Sequence, residues 1–195
     1  MIKKTITAFL LAAALYAPQA AANTPPPFTS TAITADQKFA SNTIWYTLQI
    51  GTNEYYLSKP NAEGQIDLSK ALSDFSDADL WCFVGNDTEG YRIYNKAAGA
   101  TKVLAADPTQ SANTGGNSYV TLKDANLGGY VDLWTISKSD QLTGKTSYFL
   151  ELKGHSGWKM NNRDNKLAFW TTGADHGSSL QILPVSGTID VNPST

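Results

Sequence analysis

Residues 78–96 read ADLWCFVGNDTEGYRIYNK, and a related stretch, VDLWTISKSDQLTGKTSYFLELK, returns at residues 131–153. In both stretches Asp-Leu-Trp opens an apolar strand, a polar turn containing Gly follows, and a strand led by Tyr comes next. A weaker third opening, Ser-Leu-Gln-Ile-Leu, lies near the end of the chain. The leucines of the three openings, Leu80, Leu133 and Leu180, are 53 and then 47 residues apart. A period near fifty residues is typical of a repeated supersecondary unit.

The chain between these openings consists of short apolar runs separated by Gly, Asn, Asp and Pro, a pattern typical of strands joined by hairpin turns. Gly51, Gly99 and Gly154 each follow the first strand of a unit, where a tight hairpin needs a positive φ. The runs predict four strands in each of three units, at 45–50, 55–58, 65–69 and 80–84, at 91–96, 102–106, 119–123 and 133–137, and at 148–153, 158–161, 167–171 and 180–184.

Three such units do not bury their apolar faces alone, so they must share one core around a pseudo-threefold axis. The predicted fold class is therefore all-β: a β-trefoil with twelve strands in three pseudo-symmetric four-stranded units. Six strands would close a barrel and six would form hairpins that cap one end. Trp45, Trp81 and Trp134 are expected in the core.

Composition and charge restrict the classes of partner. The chain has 195 residues, of which 42% are hydrophobic and 16% charged, and this is typical of a globular protein rather than a disordered one. The formal net charge is -2 and no basic run is present in the folded part, so neither nucleic acid nor an anionic lipid surface is an expected partner.

The two ends of the chain differ in composition from its centre. Residues 1–22 carry two lysines, an apolar run and a final Ala-Ala-Ala, which is the pattern of a secretory signal peptide. The apolar run is too short to span a bilayer. The expected organisation is a signal peptide at 1–22, an extended linker at 23–43, a β-trefoil domain at 44–185 and a C-terminal tail at 186–195. Export predicts a periplasmic or extracellular protein.

Residues 44–185 resemble the ricin-type β-trefoil, the fold of many lectins and carbohydrate-binding modules. The resemblance rests on three units, on the strand order and on the motif that closes each unit. Ricin-type lectins close a unit with Gln-x-Trp, whereas this chain has Asp-Leu-Trp at 79–81 and 132–134 and Ser-Leu-Gln at 179–181. Asp79 and Asp132 are expected to accept hydrogen bonds from nearby backbone.

The resemblance implies a shallow sugar pocket in one unit, built from polar groups after the second strand, an aromatic platform ending the third strand and polar groups before the fourth. An aromatic face stacks on the C–H side of a pyranose while carboxylates and amides pair with its hydroxyls. The same polar residue types are also common in turns that bind no ligand. The third unit has the best match, formed by Asn161, Asn162, Asp164, Trp170, Asp175 and His176. A secondary candidate in the second unit is Asp107, Asn126 and Tyr130.

Catalytic and metal-binding motifs are not predicted. His155, His176 and Cys82 lack the spacing of metal ligands. No cofactor is expected. Cys82 lies in an apolar run, which favours an inert buried thiol.

The predicted function is that of a secreted, non-catalytic glycan-binding module that uses a shallow pocket in its third unit. Its partner would be an oligosaccharide or a glycoprotein. One alternative is a secreted protein-binding trefoil such as a protease inhibitor, because the loops at 107–117 and 124–129 are long enough to enter a partner's groove. Another is the targeting module of a larger carbohydrate-active enzyme.

Overall fold

A computed structural model of the chain describes residues 28–70, 76–110, 118–171 and 175–185. The proposed signal peptide, the start of the proposed linker and the proposed tail lie outside these ranges. Two short 3-10 helices occupy Asp77–Asp79 and His176–Ser178. The strands are β1 (Tyr46–Ile50), β2 (Tyr55–Pro60), β3 (Ile66–Ser69), β4 (Trp81–Asn86), β5 (Gly90–Asn95), β6 (Lys102–Ala106), β7 (Val120–Asp124), β8 (Trp134–Ser139), β9 (Ser147–Leu152), β10 (Trp158–Arg163), β11 (Lys166–Thr171) and β12 (Leu180–Pro184). The predictions of an all-β chain and of twelve strands are confirmed.

The twelve strands pair in antiparallel fashion, and the longer pairings fall into two groups. Strands β4 and β5, β8 and β9, and β12 and β1 form extended pairs between segments that the sequence assigns to successive units. Strands β2 and β3, β6 and β7, and β10 and β11 form hairpins. The predicted hairpin glycines Gly51, Gly99 and Gly154 have φ values of +76°, +82° and +81°, which only glycine adopts without strain.

One register recurs at three places in the sheet. Trp81, the first residue of β4, pairs with Tyr46, and Trp134, the first residue of β8, pairs with Tyr91. Leu180, the first residue of β12, pairs with the corresponding Tyr148. Leu180 therefore occupies the place of the two tryptophans. The predicted equivalence of Leu180 with Leu80 and Leu133 is displaced by one residue.

The three hairpins also meet one another through single antiparallel bridges. Gln65, next to β3, pairs with Thr121 of β7; Tyr119, next to β7, pairs with Ala168 of β11; and Lys166 of β11 pairs with Asp67 of β3. The hairpins thus close into a triangle, and side chains from sequence-distant strands become neighbours at each of its sides.

The core draws residues from every part of the sheet. Trp81 and Trp134 are fully buried, as predicted, and each indole Nε1 donates to a backbone carbonyl, of Leu57 and Leu104 respectively. Trp45 is only half-buried and packs beside a second, smaller cluster that contains the buried Cys82. Burial raises the pKa of the Cys82 thiol far above its usual value, in keeping with an inert side chain.

Residues 28–43, the N-terminal strap, pack against the barrel. Phe28 is 6% exposed and stacks on Phe83, with ring centroids 4.0 Å apart. Backbone bonds from Thr29 N to the Tyr46 hydroxyl (2.7 Å) and from Thr31 N to the Phe83 carbonyl (2.8 Å) hold the segment in place. The sequence assigns these residues to a linker because they are small and polar; the long-range aromatic contact of Phe28 is invisible in that composition.

Candidate functional site

A hollow of about 210 Å³, the Tyr130 hollow, opens between the β6–β7 hairpin and the start of β3. Pockets for drug-sized ligands begin at roughly 300 Å³, so this one suits a single small ring. Its lining residues are Gln65, Asp107, Gln110, Tyr119, Thr121, Lys123 and Tyr130.

Strand alternation explains three of the seven lining residues. Tyr119, Thr121 and Lys123 lie two residues apart along β7, so they share one side of the strand. Val120, between them, is fully buried in the core. Gln65 joins them from a distant part of the chain because it forms an antiparallel bridge with Thr121.

Asp107 supplies the carboxylate of the Tyr130 hollow. Its Oδ1 accepts from the hydroxyl (2.7 Å) and from the backbone N–H (2.9 Å) of Thr109, and its Oδ2 accepts from the Gln110 amide (3.1 Å). These hydrogen bonds, that of the Thr109 hydroxyl first, lower the pKa of Asp107 below its usual value. The group is therefore a fixed anionic acceptor at neutral pH.

The two tyrosines supply the apolar surface. Tyr119 and Tyr130 are both half-buried. The Lys123 ammonium lies 5.0 Å from the centroid of the Tyr130 ring, within the range of a cation–π contact. The hollow thus combines aromatic faces, one carboxylate, one cation and two amides.

The Thr121 hydroxyl is a polar group without a partner. Its Oγ1 is buried and forms no hydrogen bond with any residue that the structure describes. Buried unsatisfied polar atoms are uncommon in proteins and call for a local explanation, such as strain at a functional site.

Replacement of Thr121 by Val should therefore raise the free energy of unfolding. Removing an unpaired buried hydroxyl is expected to stabilise the fold by about 1 kcal/mol. Urea unfolding of the wild type and of Thr121→Val measures the change. Thr135→Val is the matched control, because the Thr135 hydroxyl bonds to the Glu151 carbonyl at 3.3 Å and its loss should not stabilise. A destabilised Thr121→Val protein would show that the hydroxyl is satisfied in solution.

Three residues of the predicted third-unit site lie close together: Asn161 and Asp175, which are hydrogen-bonded, and Trp170 on the same side of the hairpin. The Asn161 amide donates to Asp175 Oδ2 (2.8 Å) and to Ser178 Oγ (2.9 Å). Asp175 also accepts from Gly177 N at 3.0 Å, as the N-cap of the second 3-10 helix. Trp170 is half-buried and pairs with Lys159, so it shares one side of the β10–β11 hairpin with Asn161.

The other three members of that set lie elsewhere. Asn162 is on the opposite side of β10 from Asn161, in a hollow formed with the β1–β2 turn. Asp164 is exposed at the β10–β11 turn, with φ +51°. The exposed His176 lines a further hollow, with Nδ1 2.7 Å from the Gln141 carbonyl oxygen. The structure thus groups Asn161, Asp175 and Trp170 on one face and separates Asn162, Asp164 and His176.

The secondary set divides in the same way. Asp107 and Tyr130 line one hollow, whereas Asn126 lines another with Gln37 and Asp124. The backbone N–H of Asn126 donates to Asp132 Oδ2 at 2.8 Å.

Asp79 and Asp132, the aspartates of the repeated motif, accept backbone hydrogen bonds as predicted. Asp79 Oδ2 accepts from Ser76 N at 2.9 Å, and its Oδ1 accepts from the Ser58 hydroxyl at 2.8 Å. Asp132 also forms an ion pair with Arg92, with Nε and Oδ2 3.0 Å apart. Both carboxylates therefore stabilise the chain segment that leads into the following strand.

Five residues of the Tyr130 hollow escaped prediction. The i, i+2 spacing of Tyr119, Thr121 and Lys123 indicates that their side chains share one face of a strand. It does not indicate which other segment of the chain lies opposite that face. Gln110 follows Asp107 by three residues within one turn, a spacing that does not by itself distinguish a ligand from a turn residue. Gln65 has no local signal, because only the bridge between hairpins brings it to the hollow.

Within the described ranges, no group of three or more His, Cys, Asp and Glu side chains is arranged to hold a metal ion. No helix among the same residues has the length and apolarity needed to cross a membrane.

Comparisons with known proteins place the fold. No protein-family profile and no curated protein sequence matches this chain. Solved structures do match: the Macrolepiota procera ricin B-like lectin in complex with lactose (TM-score 0.55, 11% identity, 73% of this chain and 96% of that one), and SeviL bound to asialo-GM1 saccharide (TM-score 0.52, 16% identity, 73% and 98%). A third is the endo-β-galactosidase from Clostridium perfringens that releases GlcNAcα1-4Gal (TM-score 0.56, 10% identity, 75% and 34%).

At these identities the likeness concerns the fold alone. These structures share the β-trefoil fold with this chain, and the predicted resemblance to ricin-type β-trefoil proteins is confirmed at the level of the fold. It spans about a third of the length of the galactosidase.

Proposed function

We propose that this β-trefoil chain is an exported, non-catalytic glycan-binding protein whose best-formed sugar site is the Tyr130 hollow. The observation that carries the proposal is the gathering of Tyr119 and Tyr130, the Asp107 carboxylate and the amides of Gln65 and Gln110 around one small hollow. Export is supported by the pattern of residues 1–22.

We further propose that the twelve strands form three pseudo-symmetric four-stranded units. The support is the recurrence of two registers. Tyr46, Tyr91 and Tyr148 each pair with the first residue of a fourth strand, and the hairpins meet in three equivalent bridges.

The chemistry of the Tyr130 hollow suits a neutral pyranose. A sugar ring has an apolar C–H side, which packs on a tyrosine face, and an edge of hydroxyls, which donate to a carboxylate and bond with amides. Asp107 is held as an acceptor by Thr109 and Gln110. Little ligand surface is buried in so small a hollow, so the affinity of a single site is expected to be weak.

A non-catalytic role is supported by the carboxylates of this hollow. Glycoside hydrolysis normally uses two carboxyl groups that flank the scissile bond. Among the described residues that line the Tyr130 hollow, Asp107 is the single carboxylate.

The third unit remains a proposed second site, centred on Trp170. Asn161 and Asp175 lie on the same side of the hairpin as the indole. Because Asn161 Nδ2 donates to both Asp175 and Ser178, its Oδ1 would be left to accept from a sugar hydroxyl. Asn162, Asp164 and His176 would contribute only to a longer ligand that extends beyond this face.

A glycan panel tests both sites in one experiment. Binding of the wild type, Tyr130→Ala and Trp170→Ala is measured on neutral mono- and oligosaccharides. Loss of one aromatic platform is expected to lower affinity about tenfold or more, equivalent to roughly 1.4 kcal/mol or more. Tyr56→Ala, at a half-buried tyrosine outside both sites, is the matched control.

The pattern of losses assigns the site. A loss confined to Tyr130→Ala assigns binding to the Tyr130 hollow, and one confined to Trp170→Ala assigns it to the third unit. A wild type that binds no glycan on the panel contradicts the proposed function.

A second candidate function is that of a targeting module in a larger carbohydrate-active enzyme. The observation that favours it is the structural match to the galactosidase, of which this chain spans 34%. The module would bind the same class of ligand, and a wild type that binds no glycan would contradict this candidate as well.

A further inference from the structure

A groove, the Thr52 groove, runs across the β1–β2 turn, far in sequence from the residues of the Tyr130 hollow. It consists of two adjacent hollows of about 270 and 230 Å³ that share Gly51 and Thr52 as a common wall. Each hollow alone falls below the size of a drug-sized pocket, and the two together reach it.

The floor of the Thr52 groove is glycine backbone. Gly51 is buried at φ +76°, and a Cβ placed there would lie 3.9 Å from Gly177 Cα and from the His176 carbonyl oxygen. The Gly51 N–H donates to the Ser179 carbonyl at 2.9 Å, which holds the turn against the second 3-10 helix. The two glycines let the β1–β2 turn and the second 3-10 helix pack closely on each other, which fixes the shape of the groove.

The first hollow offers an aromatic ring beside an amide. It is lined by the half-buried Tyr55 and Asn162, together with the exposed Thr52 and Asn53. Asn162 Oδ1 accepts from Asn165 N at 3.2 Å, which orients its amide nitrogen, a donor of two hydrogen bonds. A ring stacked on Tyr55 would thus find donors and acceptors at its edge.

The second hollow combines an apolar surface with an oriented imidazole. Leu142, 5% exposed, and Thr143 line it together with His176. The His176 Nδ1 lies 2.7 Å from the Gln141 carbonyl oxygen, and a carbonyl only accepts, so Nδ1 must carry the proton. In the neutral imidazole, Nε2 is therefore left as an acceptor for a hydroxyl.

Two cations lie at the groove: Lys145, which lines the second hollow and is paired, and Lys70, whose ammonium lies 5.6 Å from the centroid of the Tyr55 ring. The Lys145 ammonium forms an ion pair with the Glu54 carboxylate, which also accepts from the Gln181 amide at 3.1 Å. An anionic ligand would have to compete with Glu54 for this lysine. At the second hollow the paired lysine therefore favours a neutral, hydroxyl-rich ligand over an acidic one.

We propose that the Thr52 groove binds two consecutive rings of a neutral oligosaccharide, one on Tyr55 and one against Leu142 and His176, with the glycosidic linkage crossing Thr52. This inference rests on the proposed glycan-binding function and adds a site that takes a chain rather than a single ring. Asn162 and His176, two members of the predicted third-unit set, line this groove, whereas Trp170 lies on the other side of β10.

The test uses Thr52→Trp in the full chain. Thr52 is exposed and lies between the two hollows. An indole at this position would therefore block the passage between them without entering the core. Thr88→Trp, at the exposed β4–β5 turn, is the control of equal size. Titrations use neutral saccharides of one to six rings, made of galactose, glucose and N-acetylhexosamines, and their sialylated counterparts. Both variants are also placed on a Tyr130→Ala background.

Thr52→Trp should weaken the binding of neutral chains of two or more rings at least about tenfold. The affinity of Thr52→Trp for single rings, and that of Thr88→Trp for all of the saccharides, should equal that of the wild type. Amide NMR shifts at Thr52, Asn53 and Gly177 should accompany binding of these chains to the wild type. Unchanged affinity in Thr52→Trp together with a loss in Tyr130→Ala overturns the groove but leaves the proposed function standing. Stronger binding of the sialylated counterparts also overturns it. A wild type that binds no saccharide overturns both.

Discussion

Replacement of Trp134 by Ala should cause one of the largest losses of stability that a single substitution can produce in this fold. The indole is fully buried where β8 meets β5, and its Nε1 donates to the Leu104 carbonyl at 3.0 Å. Truncating a buried Trp to Ala costs about 3–5 kcal/mol through lost packing and the cavity left behind. Urea unfolding followed by far-UV circular dichroism measures the free energy directly.

Trp134→Phe separates packing from hydrogen bonding. Phe keeps most of the ring volume but leaves the buried Leu104 carbonyl without its indole donor, a loss of about 1–3 kcal/mol. The loss in Trp134→Phe should therefore be clearly smaller than in Trp134→Ala. If the free energy of unfolding of Trp134→Ala lies within about 1 kcal/mol of the wild-type value, the Trp134 side chain is not part of the core.

Phe28→Ala should have the second largest effect. The Phe28 ring stacks on Phe83 and meets the edge of Tyr91, with centroids 4.9 Å apart, and that of Tyr46 at 6.4 Å. Truncating a buried Phe to Ala costs about 3–5 kcal/mol of stability. The stacked and edge-on ring contacts of Phe28 contribute further stabilisation beyond that of the buried area. A chain begun at residue 44 should lose at least as much, because the whole N-terminal strap is then missing.

Ile44→Ala is the matched control for the N-terminal strap. Ile44 directly follows the strap and is 40% exposed, so its truncation should change the free energy of unfolding by less than about 0.5 kcal/mol. Equal stabilities of Phe28→Ala and Ile44→Ala would mean that the strap is detached in solution and that residues 28–43 act as a linker after all.

The resemblance to ricin-type β-trefoils was enough to bring together some residues of the candidate sites. Asp107 and Tyr130 were predicted because the ricin-type resemblance implies a sugar pocket beside these strands, and they line one hollow. Asn161 and Trp170 were predicted in the same way and share one side of a hairpin. The places of these residues beside strands follow from strand alternation and residue type, which are properties of a short stretch of chain. Their assignment to a sugar pocket came from the resemblance.

Local pattern was not enough where two distant segments meet. Asn162 directly follows Asn161 in sequence, yet it belongs to the Thr52 groove because alternate residues of a strand face opposite sides. Gln65 enters the Tyr130 hollow only through its bridge to Thr121. Phe28 is in the core because it meets Phe83, and no periodicity in its own segment indicates that contact.

By itself the sequence determined that the chain is all-β, where its strands lie, that the tryptophans opening β4 and β8 are buried, and that Asp79 and Asp132 brace those strands. Each follows from alternation, turn chemistry and a repeat near fifty residues, all of which act over a few neighbours. Only the tertiary structure decided that residues 28–43 complete the core and which side chains share a hollow. Those outcomes depend on the packing of segments far apart in the chain, and packing is set by the closure of the whole barrel.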